Sequence, residues 1–186
     1  MPHMFIPGPV DVPAEVLDAQ TAPMLPHRSP EFEAIFQRAA ERSRQLFYTQ
    51  FRVFLTASSG TGLQEAAVRN FARQEALVCV NGAFANRWYD VAVSNGRAAD
   101  KIELPWDQPI TPEGVYAALK SKHYEMLAVV HNETSTGLQN PVAQIAEAVR
   151  AASPDTLICV DAVSSLGGAK IEMDAWGLDM TLASSQ

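Results

Sequence analysis

The sequence predicts an α/β fold: a mostly parallel sheet with helices on both faces. Short apolar runs alternate with segments of helical spacing from Arg52 to Ala183, the order of a strand–helix–strand chain. Several runs, among them ALVCV, MLAVV and LICV, are apolar at every position, as strands buried on both faces are. Small or polar residues follow each run and start the next element. Polar groups therefore gather at one edge of the sheet.

Residues 5–13 hold Pro7, Gly8, Pro9 and Pro13 among few helix formers, so an extended arm is expected there. Ser29 then caps a helix with Pro30 in its first position. Phe32, Ile35, Phe36, Ala39, Leu46 and Phe47 recur at helical spacing, so one face of this helix should pack on something. RVFLTA (52–57) reads as a strand and 62–71 as a helix. ALVCV (76–80) is a strand, 84–94 a helix and 101–104 a short strand. A helix over 111–122 starts at Thr111 as cap with Pro112 behind it; MLAVVH (126–131) is a strand. Asn140 caps a helix over 141–152, and TLICV (156–160) and residues 180–183 are the last two strands. No internal repeat, low-complexity segment or linker interrupts this order.

The chain has 186 residues, 47% hydrophobic and 19% charged, enough to bury a core. Its net charge of −7 and the lack of a Lys/Arg block argue against nucleic acid and anionic membranes as partners. Cys79 and Cys159 each sit inside an apolar run, as buried free thiols do in a reducing compartment. The start, MPHMFIPGPVDVP, has neither a basic stretch nor a long apolar run, so no signal peptide is expected. The expected location is the cytoplasm.

Ligands of open α/β sheets bind at the carboxyl ends of the strands. After RVFLT comes AlaSerSerGlyThrGly (57–62), opening a helix. Small residues at a helix N-terminus let backbone N–H groups approach a phosphate; the same residues also suit a plain strand-to-helix turn. The loop matches neither G-x-G-x-x-G nor G-x-x-x-x-G-K-[ST], which removes support from nucleotide readings. Phe84, at the start of the next helix, could stack on a flat ring or belong to the core. After MLAVV comes the polar run His131-Asn-Glu-Thr-Ser-Thr-Gly137, and after TLICV comes Asp161. A carboxylate ending a buried strand needs a cation or strong donors; an N-cap or an ion pair would also serve. Neither the four histidines nor the two cysteines have the spacing of a zinc site, and no G-x-S-x-G elbow is present. An anion cradle, a stacking ring, a hydroxyl-bearing loop and a buried carboxylate together suit a planar phosphorylated cofactor with a protonated ring nitrogen. Pyridoxal 5′-phosphate is such a molecule.

The same residues carry a family likeness. SSGTGLQEAAV, HNETSTG, DAVSSLGG and the closing D-x-T-L-A-S-S-Q stand in the order and approximate spacing of the class V aminotransferases. From the GPVDVP arm onward, the chain most resembles their alanine/serine–glyoxylate (serine–pyruvate) branch. The resemblance implies the large domain of a fold type I pyridoxal-phosphate transferase, with residues 1–25 as an arm and 26–186 as the N-terminal part of that domain. It implies that Ser59, Gly60 and Thr61 hold the phosphate, with Gln186 reaching it from the other side. Phe84 would stack on the ring, Thr134 bond its hydroxyl, Val163 pack beneath it, and Asp161 pair with the ring nitrogen. Gly8 would line the substrate pocket, and residues 26–28 would lie near a homodimer interface. The family pattern continues S-Q-K, so the Schiff-base lysine is expected immediately after Gln186, and a C-terminal small domain beyond it.

The activity so implied is transfer of an amino group from a small amino acid, of the alanine or serine type, to glyoxylate or pyruvate. Two other readings remain at this level. One is a cysteine desulfurase or other lyase of the same superfamily, whose members place His on the ring and read S-x-H-K. The other is a non-catalytic phosphate- or nucleotide-binding α/β domain.

Overall fold

The computed structural model describes residues 3–185. Its centre is a five-stranded sheet built from β1 (Glu75–Val80), β2 (Ala98–Glu103), β3 (Met126–Val130), β6 (Leu157–Asp161) and β7 (Met180–Leu182). The strands lie in the order β2-β1-β3-β6-β7, and every pairing is parallel. A two-stranded antiparallel hairpin, β4 (Asn132–Glu133) with β5 (Leu138–Gln139), stands off the end of β3.

Both faces of the sheet's centre are covered, which is why β1, β3 and β6 are apolar nearly throughout, while the edge strand β2 carries Asp100, Lys101 and Glu103. Leu77, Cys79, Leu127, Val129, Ile158 and Val160 point to one face. There they meet Val115 and Leu119 of α5 (Pro112–Ser121) and Ile145, Ala146 and Val149 of α6 (Val142–Ala152). The alternate residues Ala76, Val78, Val80, Met126, Ala128 and Val130 meet α3 (Gly60–Phe71) and α4 (Ala83–Ser94) on the other. The expected α/β class is the observed one. Cys79 and Cys159 are buried free thiols; burial raises the Cys79 thiol to about 12 and pushes Cys159 higher than its ordinary value too.

Side-chain caps set three of the six helix starts among the described residues, those of α3, α5 and the helix that follows Ser29. The Ser29 hydroxyl accepts from the Phe32 amide at the head of α2 (Pro30–Phe47), and Thr111 accepts from the Gly114 amide at the head of α5. Asn140 does not cap α6, which starts behind Pro141 without a side-chain cap. Its amide instead ties strand ends together: Nδ2 donates to the Val130 carbonyl at 2.8 Å, and Oδ1 accepts from the Ile110 amide at 2.9 Å.

Two further expectations are corrected. Residues 52–57 are not a strand; they pair with nothing among the described residues, and Phe54 is exposed. An apolar run becomes a strand only where it docks on a neighbour's backbone groups, and this one does not. The face of α2 is not packed: Phe32, Ile35, Phe36 and Leu46 are exposed, and the helix buries no residue. Its C-terminal end is tied to residues 173–174: the Phe47 carbonyl accepts from the Met173 amide at 3.1 Å, Thr49 Oγ1 donates to Asp174 Oδ1 at 2.5 Å, and the Gln50 amide donates to Asp174 Oδ2 at 2.8 Å. Residues 5–13 carry neither helix nor strand, as expected of an extended arm, and a short helix that the sequence reading did not place, α1 (Ala14–Ala19), follows them. No helix among the described residues is long and apolar enough to cross a membrane.

Candidate active site

The strand order reverses between β1 and β3: β2 lies to one side of β1, and β3, β6 and β7 to the other. A crevice at the carboxyl ends of β1 and β3 is the usual ligand site of such a sheet. The polar groups anticipated at the strand ends assemble beside it, on α3, α4 and the exit of β6.

Ser59 is the N-cap of α3, its hydroxyl accepting from the Gly62 amide at 3.1 Å. Gly60 and Thr61 are the first two helical residues, whose amides have no partner within a helix and face outward. Gly60 is where it is because the β6 exit passes close by: a Cβ there would come within 3.3 Å of Val163 Cγ2. Thus α3 begins against Val163, and Val163 in turn donates its backbone N–H to Asp161 Oδ1 at 3.0 Å.

Asp161 is buried, 4% exposed. It is neither an N-cap nor half of an ion pair among the described residues. Its Oδ2 accepts from Gln64 Nε2 at 2.9 Å and from Trp88 Nε1 at 3.3 Å. Burial pushes its carboxyl above the ordinary range near 3.8; the Val163, Gln64 and Trp88 donors pull the other way, and the charge of Glu133 adds to the rise. A buried carboxylate with neutral donors and no cation is a site in which a protonated ring nitrogen fits, because the cation would reverse that rise.

Phe84 stands half-exposed on the first turn of α4, four residues before Trp88. Its amide donates to Glu133 Oε1 at 3.3 Å, and the Ala85 amide donates to Glu133 Oε2 at 2.8 Å. Thr134 follows Glu133 and is half-buried. Gly60 faces Val163, Val163 bonds Asp161, and Trp88 carries the run from Asp161 to the helix whose first turn bears Phe84; Ser59 and Thr61 flank Gly60, and Thr134 stands beside the run as the chain neighbour of Glu133. Gly8 is not brought into it: the arm is exposed, and a Cβ on Gly8 would meet no atom within 4 Å. Gln186 lies outside the described residues. An open groove of about 930 Å³ between α2 and residues 50–56 is lined by none of these groups.

Sequence reasoning missed three participants: Gln64, Trp88 and Glu133. Gln64 had a signal, being a polar side chain on the stripe it shares with buried Ala67 and Val68. Trp88 lies on the buried stripe of α4 with Ala85, Val91 and Ala92, and only its Nε1 partner marks it as more than core. Glu133 sits in a run already noted as polar, and its full burial is a tertiary fact.

The family described as aminotransferase class-V matches residues 14–186. The chain is 38% identical over 98% of its length to a protein named soluble hydrogenase, small subunit, from Synechococcus sp. (strain PCC 6716). It is 35% identical, again over 98%, to L-aspartate–glyoxylate aminotransferase from Paracoccus denitrificans (strain Pd 1222). It spans about half the length of these curated relatives, 49% and 48%. The structure of alanine–glyoxylate aminotransferase from Nostoc sp. superposes with a TM-score of 0.93 at 32% identity, over 100% of this chain and 50% of that one.

Proposed function

We propose, from the premise that this chain belongs to the class-V aminotransferase family, that it serves a pyridoxal 5′-phosphate-dependent aminotransferase. The reaction moves an amino group from a small amino acid, of the alanine or serine type, to glyoxylate or pyruvate. Two similar proteins named above carry glyoxylate in their names, with different donors, which supports glyoxylate more firmly than either donor.

The observation that carries the reading is the buried Asp161 carboxylate, joined through Val163 to the N-terminus of α3. A phosphorylated pyridinium has a cation for the one and an anion for the other. When bound, the cofactor supplies an electron-withdrawing ring that stabilises negative charge at the substrate Cα. Asp161 keeps the ring nitrogen protonated, and its donors Gln64, Trp88 and the Val163 amide keep Asp161 ionised. The open first turn of α3 receives the phosphate, with Ser59, Gly60 and Thr61 on it and Gln186 as a further contact. Phe84 covers one ring face, Val163 packs against the other, and Thr134 bonds the ring hydroxyl. Gly8 lines the substrate pocket once the arm is seated.

Residues 26–186 act in this reading as the N-terminal part of the cofactor-binding domain, with residues 1–25 as an arm. The exposed apolar face of α2, with Phe32, Ile35, Phe36 and Leu46, is the contact between two copies in a homodimer. The two buried thiols are in keeping with a cytoplasmic location.

The test uses protein produced from the complete reading frame and purified with pyridoxal 5′-phosphate. It should be coloured, bleach with borohydride, and form glycine from glyoxylate with alanine or serine as donor. A colourless protein overturns the cofactor, and sulfide release from cysteine without transfer to glyoxylate or pyruvate overturns the reaction.

A further inference from the structure

We propose that Glu133 is a positioning residue for the cofactor ring: its buried carboxylate supplies the anion that the N-terminus of α4 requires, and so fixes Phe84 and Trp88 relative to Asp161. The proposal rests on the cofactor reading above and adds a residue that neither touches the ring nor carries out chemistry.

Glu133 is fully buried in β4, three residues beyond the end of β3. A carboxylate there without compensation would be costly. It is compensated from two sides, by the first turn of α4 and by Ser135. Oε2 accepts from the Ala85 amide at 2.8 Å, and Oε1 from the Phe84 amide at 3.3 Å. Oε1 also accepts from the Ser135 amide at 3.1 Å and from the Ser135 hydroxyl at 2.7 Å. That hydroxyl accepts in turn from the Ala83 amide at 3.1 Å. Three successive amides of α4 are thus satisfied by Glu133 directly or through Ser135, in place of an N-cap side chain, which Gly82 lacks.

Gly82 completes the seat. A Cβ on it would fall inside the van der Waals radii of Glu133 Cγ and Cδ, so glycine is the one residue that lets the carboxylate reach the helix. Two consequences follow for the site. The helix start that bears half-exposed Phe84 is held by charge-assisted bonds in addition to the packing of buried Ala85. And the positive end of α4 is already occupied by the protein's own anion, so an external phosphate is left with α3, whose first turn holds no carboxylate. The charge of Glu133 also reaches Asp161, a small cost to Asp161 ionisation that its Gln64 and Trp88 donors offset.

The experiment compares wild-type full-length protein with Glu133→Gln, Glu133→Asp and Ser135→Ala. It measures the dissociation constant of pyridoxal 5′-phosphate, the visible circular dichroism of the bound cofactor, and hydrogen exchange at the amides of residues 83–85 in cofactor-free protein. Glu133→Gln should weaken cofactor binding about tenfold or more, the effect of losing one charged acceptor. It should also change the dichroic band and speed exchange at those amides. Glu133→Asp, which restores charge at shorter reach, should recover part of both, and Ser135→Ala should show a smaller effect of the same sign. If Glu133→Gln does not fold, the Ser135→Ala dichroism decides. Faster exchange with wild-type affinity and dichroism overturns the positioning role and leaves the cofactor reading intact. A wild-type protein that shows no dichroic band on adding the cofactor overturns the cofactor reading itself, and this role with it.

Discussion

Gln64 donates a 2.9 Å hydrogen bond to Asp161 across 97 positions of chain, from one turn inside the N-terminal end of α3 to the carboxyl end of β6. The bond ties the two ends of the candidate cofactor site to each other. The Gln64 carbonyl oxygen is buried with no partner among the described residues, so the side chain is oriented by what its amide gives to Asp161.

Gln64→Leu removes a donor that favours the Asp161 anion, and Trp88 and the Val163 amide remain. The Asp161 carboxyl, already raised by burial, should rise further. The acid limb of kcat/KM should therefore move to higher pH, with roughly tenfold lower kcat/KM at neutral pH. A pH–rate profile of the full-length protein checks this; an unmoved acid limb would contradict it.

Asp161→Asn should separate stability from activity. Because the folded state holds the Asp161 proton more tightly than the unfolded chain, stability falls as pH rises from the ordinary carboxylate range through the raised value. The asparagine carries no charge to bury, and the Gln64 amide can turn its free oxygen toward it. The cofactor-free unfolding midpoint at neutral pH should hold or rise, and turnover should fall by about a hundredfold or more. Thermal unfolding and steady-state kinetics on the same preparation measure both; a sharply lower midpoint would count against the burial argument.

His131 should make the protein acid-sensitive. It is buried, with Nδ1 at 2.9 Å from Ser165 Oγ and Nε2 at 3.0 Å from Gln139 Nε2. A Gln139 amide donating to Nε2 leaves the proton on Nδ1, toward Ser165. Desolvation holds its pKa below the ordinary 6.5. The stability it contributes is present above 6.5 and is lost as pH falls from there to the folded value, by up to about 1.4 kcal/mol per pH unit. Urea unfolding across that range should show this slope in the wild type, and His131→Gln should flatten it.

The places where the sequence was read correctly are those governed by local chemistry. Ser29 and Thr111 cap because a hydroxyl three residues ahead of an open amide bonds it whatever lies around. ALVCV, MLAVV and LICV are strands because residues apolar at every position must be covered on both sides. RVFLTA has the same apolar character and is not a strand, since pairing depends on a neighbour and not on composition. Asn140 has the right type and position for a cap, yet its amide is drawn to Asn81, Val130 and Ile110.

The candidate site divides the same way. Residue types and their spacing determined the α/β class and a polar edge with Ser59, Gly60, Thr61, Phe84, the run 131–137 and Asp161 on it, because each stands at the end of a strand or the start of a helix; Val163, and Thr134 within that run, were singled out only by the family resemblance. Only the tertiary structure decided what those residues touch. Gln64 and Trp88 reach Asp161 from two different helices, and Glu133 reaches the amides of α4 across 48 positions of chain. A buried charge is stabilised by whichever donors the fold brings within hydrogen-bond distance, and that distance is set by how helices pack on the sheet, which no stretch of sequence states by itself.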